Sequence, residues 1–220
     1  VEINYMSAKE EDILTSQALI ARGVVIDRFI QSVMVDQNID VHSLYPGDKN
    51  AILIAARATG YGSEYEAMVT CPACSNRHEH VIDLVNLPIK EPPEDINLTP
   101  AGTFTIQLPV TKFTAELKIL TAKEQDYLEK TKEANLKNNL PEANRTNFLK
   151  MAIVSINSIR DRHEVEQFID SMPAQDSRIV KRTYDEVNPS LLMDQTIECP
   201  KCKHTVVREV PLGISFLWPS

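Results

Sequence analysis

The sequence predicts an α+β fold in which a mostly helical chain carries two Cys-Pro-x-Cys knuckle hairpins and one small β-hairpin. Three observations predict it. The four cysteines fall as two matched pairs, Cys71-Pro72-Ala73-Cys74 and Cys199-Pro200-Lys201-Cys202, each entered and left by strand-forming residues. Elsewhere apolar residues recur at helical spacing, as at Ile26, Phe29, Ile30 and Val33. Residues 103–120 switch to β-rich patches, Phe104, Ile106 and Leu108, then Phe113, Leu117 and Ile119, which read as a hairpin.

Taken in order, residues 1–12 are polar and predict an extended or mobile start, with Ile3 and Tyr5 able to dock. Helical spacing begins at Ile13, and Gly23 divides a short first helix from the amphipathic second. Pro46-Gly47 reads as a turn, Asp48 as an N-cap, and residues 48–59 as a buried helix that Gly60 terminates. Arg57 interrupts its apolar run and needs a partner, either a carboxylate or the following Tyr-Gly backbone. Tyr65 to Thr70 is a strand into the first knuckle, and Val81 to Leu87 its return. Pro88 to Pro100, with four prolines and several acids, is an extended connection.

Thr121 and Glu124 form a capping box that opens a helix to about Lys132. Residues 133–145 read as flexible, and Asn147 to Ile159 as a core helix. His163 to Ser171 and Asp176 to Val187 are two further helices, with Pro173 at their boundary and Asn188-Pro189 stopping the second. Leu191 to Glu198 leads as a strand into the second knuckle, and Val206, Val207 and Val210 return from it. The implied organisation is an N-terminal helical region, 1–62, a split ribbon, 63–90 plus 191–220, and an inserted hairpin and helical region, 91–190.

The bulk properties bound the function. The chain has 220 residues, enough for one domain or two small ones. Its net charge of −8 opposes approach to a phosphate backbone. No apolar run reaches the length that spans a bilayer, and the start has no charged-then-apolar leader pattern. These features place the expected site of action in a cytoplasm, or in a particle assembled there.

Two residues between thiolates let both sulfurs converge on one tetrahedral ion, and two such knuckles supply four ligands. The expected metal is therefore one structural Zn2+ per chain, on Cys71, Cys74, Cys199 and Cys202. A four-thiolate shell leaves no position for water or substrate, so the site is read as non-catalytic. The pairs are separated by residues 75–198, 124 positions, where ordinary ribbons use about 15–20. Closing that longer loop costs roughly 2 kcal/mol more, against about 10–16 kcal/mol for structural zinc binding. Metal binding wins, and a split zinc ribbon with a helical insertion is energetically acceptable. The alternatives are redox Cys-x-x-Cys chemistry, an iron–sulfur cluster and plain thiols; redox pairs usually open a helix, and neither pair precedes one. His78, His80 and His204 are read as facing solvent.

The remaining constellations are weak. Asp161 and Glu164 are explained by helix capping, which leaves little for a catalytic reading with His163. Asp176, Arg178, Lys181, Arg182 and Asp185 read as a solvated helix face, and Lys201, Lys203 and Arg208 as a solubilising basic turn. Gly213 to Ser220, with Phe216, Leu217 and the single Trp218, is too apolar to stay in water; it packs on its own core or on a neighbouring subunit.

Glu11-Asp12-Ile13-Leu14-Thr15-Ser16, Gly47 through Arg57, Tyr61-Gly62-Ser63-Glu64-Tyr65 and the first cysteine pair together resemble the baseplate hub proteins of T-even-type (T-four-like) contractile-tailed phages, a group that includes the hub assembly protein. The resemblance covers the first 90 residues and, by position, the second cysteine pair; 100–190 match only in style. It implies a non-enzymatic role beside other baseplate and hub proteins, as a built-in hub component or a factor that assembles the hub. The net charge, the lack of a spanning apolar run and the closed cysteine set argue for no nucleic acid, membrane or small-molecule partner. The implied location is the host cytoplasm during assembly and the virion tail baseplate. Two readings compete: a zinc-ribbon nucleic-acid-binding or regulatory adaptor, opposed by the net charge, and a hydrolase or redox enzyme, opposed by the four-cysteine set.

Overall fold

The computed structural model describes residues 1–209 and 214–217. It is a mixed helix and strand structure with small sheets, divided into two compact units. The first comprises Val1–Val41, Gly47–Lys90 and the chain from Ser190 onward; the second comprises His42–Pro46 and Glu91–Pro189.

The chain starts with helices α1 (Ala8–Thr15), α2 (Gln17–Ala21) and α3 (Val25–Val33). An extended start to residue 12 is thus corrected: α1 already begins at Ala8, because Glu10 accepts from the Ser7 N–H at 2.9 Å and from the Ser7 hydroxyl at 2.5 Å. Ile3 does dock, as an antiparallel bridge to Met34. The apolar stripe is as read: Phe29, Ile30 and Val33 are buried, and Gly23 adopts φ 68° at the break before α3.

Helix α4 (Pro46–Tyr61) is longer than 48–59. Pro46 is its first residue, a position where the missing N–H costs nothing. Gly60 lies inside the helix, where a Cβ would meet Met6 Sδ at 3.0 Å, and the left-handed residue past the end is Gly62, φ 95°. Strands β1 (Glu64–Thr70) and β2 (Arg77–Asp83) pair antiparallel from Glu64↔Asp83 to Thr70↔Arg77. The return strand therefore starts at Arg77 rather than at Val81, because the knuckle between them is tighter than expected. β3 (Ile89–Lys90) follows.

In the second unit, β4 (Thr103–Gln107) and β5 (Thr114–Lys118) form the expected hairpin. Helix α5 (Ala122–Lys137) opens on Thr121 and Glu124 as expected, with the Thr121 N–H on Glu124 Oε2 at 2.9 Å. It outruns Lys132 because Glu133, Ala134, Leu136 and Lys137 favour helix. Helix α6 (Asn144–Ala152) is followed by β6 (Ile153–Ile156), which pairs with β5 to give sheet order β4-β5-β6. A single helix over 147–159 is thus corrected: Ile153, Val154 and Ile156 are β-branched, and the free edge of β5 offers them a ladder. Helices α7 (Arg162–Asp170) and α8 (Ala174–Val187) complete a core that includes Phe104, Leu117, Leu149, Ile153, Val165 and Val180. The Tyr184 hydroxyl reaches the Leu120 N–H at 2.9 Å inside it.

Back in the first unit, the strand expected over 191–198 is split into β7 (Ser190–Leu191), paired with β3, and β8 (Asp194–Glu198). β8 pairs with β9 (Thr205–Glu209), which contains Val206 and Val207; Val210 lies outside the described residues.

Candidate metal centre

Each knuckle is the turn of a two-stranded hairpin, and the two turns have the same backbone. In the first, the Cys71 N–H donates to the Asn76 carbonyl and the Ser75 N–H to the Cys71 carbonyl, each at 2.9 Å. In the second, the Cys199 N–H donates to His204 and the Lys203 N–H to Cys199, again at 2.9 Å. Ser75 and Lys203, at equivalent places, both take the left-handed conformation, φ 57° and 58°. Matching Cys-Pro-x-Cys segments thus fold into matching loops, although 124 residues separate them.

The loops face each other. Cys71 Sγ lies 3.7 Å from Cys202 Sγ, and Cys74 Sγ lies 3.7 Å from Cys199 Sγ. All four sulfurs are within 4.8 Å of one another. Tetrahedral ligation at about 2.3 Å requires neighbouring sulfurs about 3.8 Å apart, so the set fits one ion. The cysteines are free, with Cys71 and Cys199 buried, Cys74 half-buried and Cys202 exposed. The cluster can hold a metal ion, and its chemistry, four soft donors with no carboxylate or water position, is that of a closed site.

Electrostatics divides the sulfurs. The Cys202 backbone N–H aimed at Cys199 Sγ pulls that thiol down to about 6, against the opposing effect of burial and with help from the Lys201 N–H. Cys202 goes the other way. The His204 N–H favours its thiolate, yet the Cys74 sulfur, burial and the Cys71 and Cys199 sulfurs push it up to about 12. Without a cation, four neighbouring sulfurs cannot all carry charge; a divalent ion removes that repulsion and displaces the remaining protons.

Of the nearby histidines, His204 is exposed, as expected, while His78 and His80 are half-buried on β2. His78 corrects the solvent-facing reading: both ring nitrogens are buried without a hydrogen-bond partner in the described structure. Alternation explains it, since His78, His80 and Ile82 share the inward face of the strand.

The residues that carry the family resemblance form a joint between α4 and β1. Arg57 donates to the Gly62 carbonyl at 3.3 Å and stacks over the Tyr61 and Tyr65 rings, at 5.1 and 5.9 Å. The Tyr61 hydroxyl donates to Glu11 at 2.6 Å; burial, then Glu11, pushes Tyr61 up to about 12. Tyr65 meets Phe216 edge-on at 5.0 Å, and Phe216 and Leu217 are fully buried. The described part of the apolar tail therefore packs on its own chain; Gly213 and Trp218 to Ser220 lie outside the described residues.

The weaker constellations separate. Asp161 caps α7 through the Glu164 N–H at 3.0 Å, and His163 pairs with Gln167 on an exposed helix face. Lys203 pairs with Glu198 at 3.0 Å. Asp176 is not on a solvated face. It is fully buried and accepts from the Val110 N–H, the Thr111 N–H and the Thr111 hydroxyl at 2.8–3.1 Å, pinning the β4–β5 turn to α8. Asp176 shares a helical face with Val180, Thr183, Tyr184 and Val187, all buried, and that spacing is the signal the sequence offers.

A family model described as T4 bacteriophage base plate protein matches residues 1–215. No curated protein matches the chain. No solved structure matches it either.

Proposed function

Because this chain belongs to the T4 bacteriophage base plate protein family, we propose that it is a non-enzymatic structural or assembly protein of the hub region of a contractile tail baseplate, with its fold pinned by one structural Zn2+. The family match over nearly the whole chain carries the baseplate role. The convergence of Cys71, Cys74, Cys199 and Cys202 supports the zinc. In this reading the ion does no chemistry on a substrate. It joins residue 71 to residue 199 and so clamps the base of everything inserted between them. Its partners are other baseplate and hub proteins; among the described residues no helix is long and apolar enough to cross a membrane.

The test is a density map of purified tails together with their protein content. A hub component shows the chain at the tail axis in stoichiometric amount. An assembly factor is missing from finished tails, yet tails fail to form without it. A chain that is absent from tails and dispensable for making them sinks both versions.

A further inference from the structure

The chain is acidic overall, yet basic side chains of α6 and α8 gather around one cleft. In the second unit a cleft of about 690 Å³ is lined by Arg145 of α6 and by Arg178, Lys181 and Arg182 of α8, with Ala174 and Ile179 among its other lining residues. Asp185 is the sole acid lining it. Helix pairing neutralises part of this charge, Lys181 with Asp185 and Arg182 with Glu186 at 3.6 Å. Lys181 is also held over the Phe148 ring at 5.1 Å. The side chains of Arg145 and Arg178 have no ion pair or hydrogen bond among the described residues. On a protein of net charge −8, two unpaired guanidinium forks in one concave site are against the general trend of the surface.

We propose that this cleft is the docking site for an acidic segment of a neighbouring polypeptide, with carboxylates on Arg145 and Arg178 and an aliphatic side chain over Ile179. This deepens the baseplate reading and rests on it only for the neighbour being another tail protein. Guanidinium groups match carboxylates in paired, planar hydrogen bonds. The apolar residues between the cations suit a polypeptide better than a sugar-phosphate backbone, which the net charge repels from the rest of the surface.

The probe is a fluorescein-labelled octapeptide of alternating glutamate and leucine, titrated against the full zinc-loaded chain by anisotropy, with hydrogen exchange used to locate the contact. Binding that weakens as salt rises, protects α8, and falls at least tenfold in an Arg145→Glu, Arg178→Glu variant supports the site. A Lys123→Glu, Lys130→Glu variant has the same net charge on exposed positions of α5, and should change affinity less than twofold. Circular dichroism checks that both variants fold. The proposal is overturned if the peptide does not bind, if the α5 variant loses as much as the cleft variant, or if a short DNA duplex binds more tightly than the peptide. The presence or absence of the chain in tails, measured separately, is independent of all these outcomes.

Discussion

The second unit holds its strands with a continuous core: β4, β5 and β6 bury Phe104, Ala115, Leu117, Ile153 and Ile156 against α6, α7 and α8. The four strands of the two knuckle hairpins in the first unit bury far less. Along β1, β2, β8 and β9 only Ile82 and Ile197 are fully buried, and each sheet has two strands. Isolated two-stranded hairpins are marginal in water. The difference teaches that similar elements in one chain rest on different sources of free energy. Hydrophobic burial stabilises one set, and the four sulfurs with the ion we assign to them stabilise the other.

The largest expected effect follows from removing that ion. A strong chelator, or Cys71→Ser, should strip the zinc and abolish amide protection in β1, β2, β8 and β9 while β4–β6 keep theirs. Hydrogen exchange followed by mass spectrometry reads both at once; simultaneous loss in the two units would break the comparison. Because the metal-free Cys202 thiol sits near 12 it is protonated at neutral pH. Loading therefore releases protons, and zinc affinity should rise with pH across the neutral range.

Next in size is Leu117→Ala in the core of the second unit, expected to cost about 3 kcal/mol in denaturant unfolding without changing zinc content. Asp176→Ala should cost about 2 kcal/mol, since it removes the buried charged acceptor shared by the Val110 N–H, the Thr111 N–H and the Thr111 hydroxyl. A neutral result would show that the carboxylate does not pin the β4–β5 turn.

The smallest is the α5 cap. Thr121→Ala should cost about 1 kcal/mol and reduce acid sensitivity. Burial alone would raise the Glu124 carboxyl, yet the Lys118 ammonium and the Thr121 N–H and hydroxyl outweigh it and hold it below its ordinary 4.5. A lowered folded value stabilises above pH 4.5, and that stabilisation is lost as pH falls through the folded value. The variant's stability should therefore fall less between pH 5 and pH 3 than the parent's. Equal slopes would remove Glu124 from the account.

What the sequence made legible was local chemistry. The cysteine pairs, the α3 stripe, the Thr121 box and the Arg57 contact with the Gly62 backbone all follow from residues near one another in the chain. What it hid depended on distant partners. Ile153 to Ile156 reads as helix until the open edge of β5 is known, and Asp176 reads as a surface acid until the β4–β5 turn is brought beneath it. Gly60 reads as a helix terminator until Met6 lies against it. Spacing alone made the four cysteines recognisable as a set, whereas the facing of the two knuckles required the fold.

The claim beneath the whole comparison is that four sulfurs share one zinc ion. X-ray absorption at the zinc edge on the purified chain, with elemental analysis of the same sample, tests it directly. One zinc per chain with a shell of four sulfurs at about 2.3 Å is the expected result. A metal-free folded chain, or a shell containing nitrogen, oxygen or fewer than four sulfurs, would contradict it.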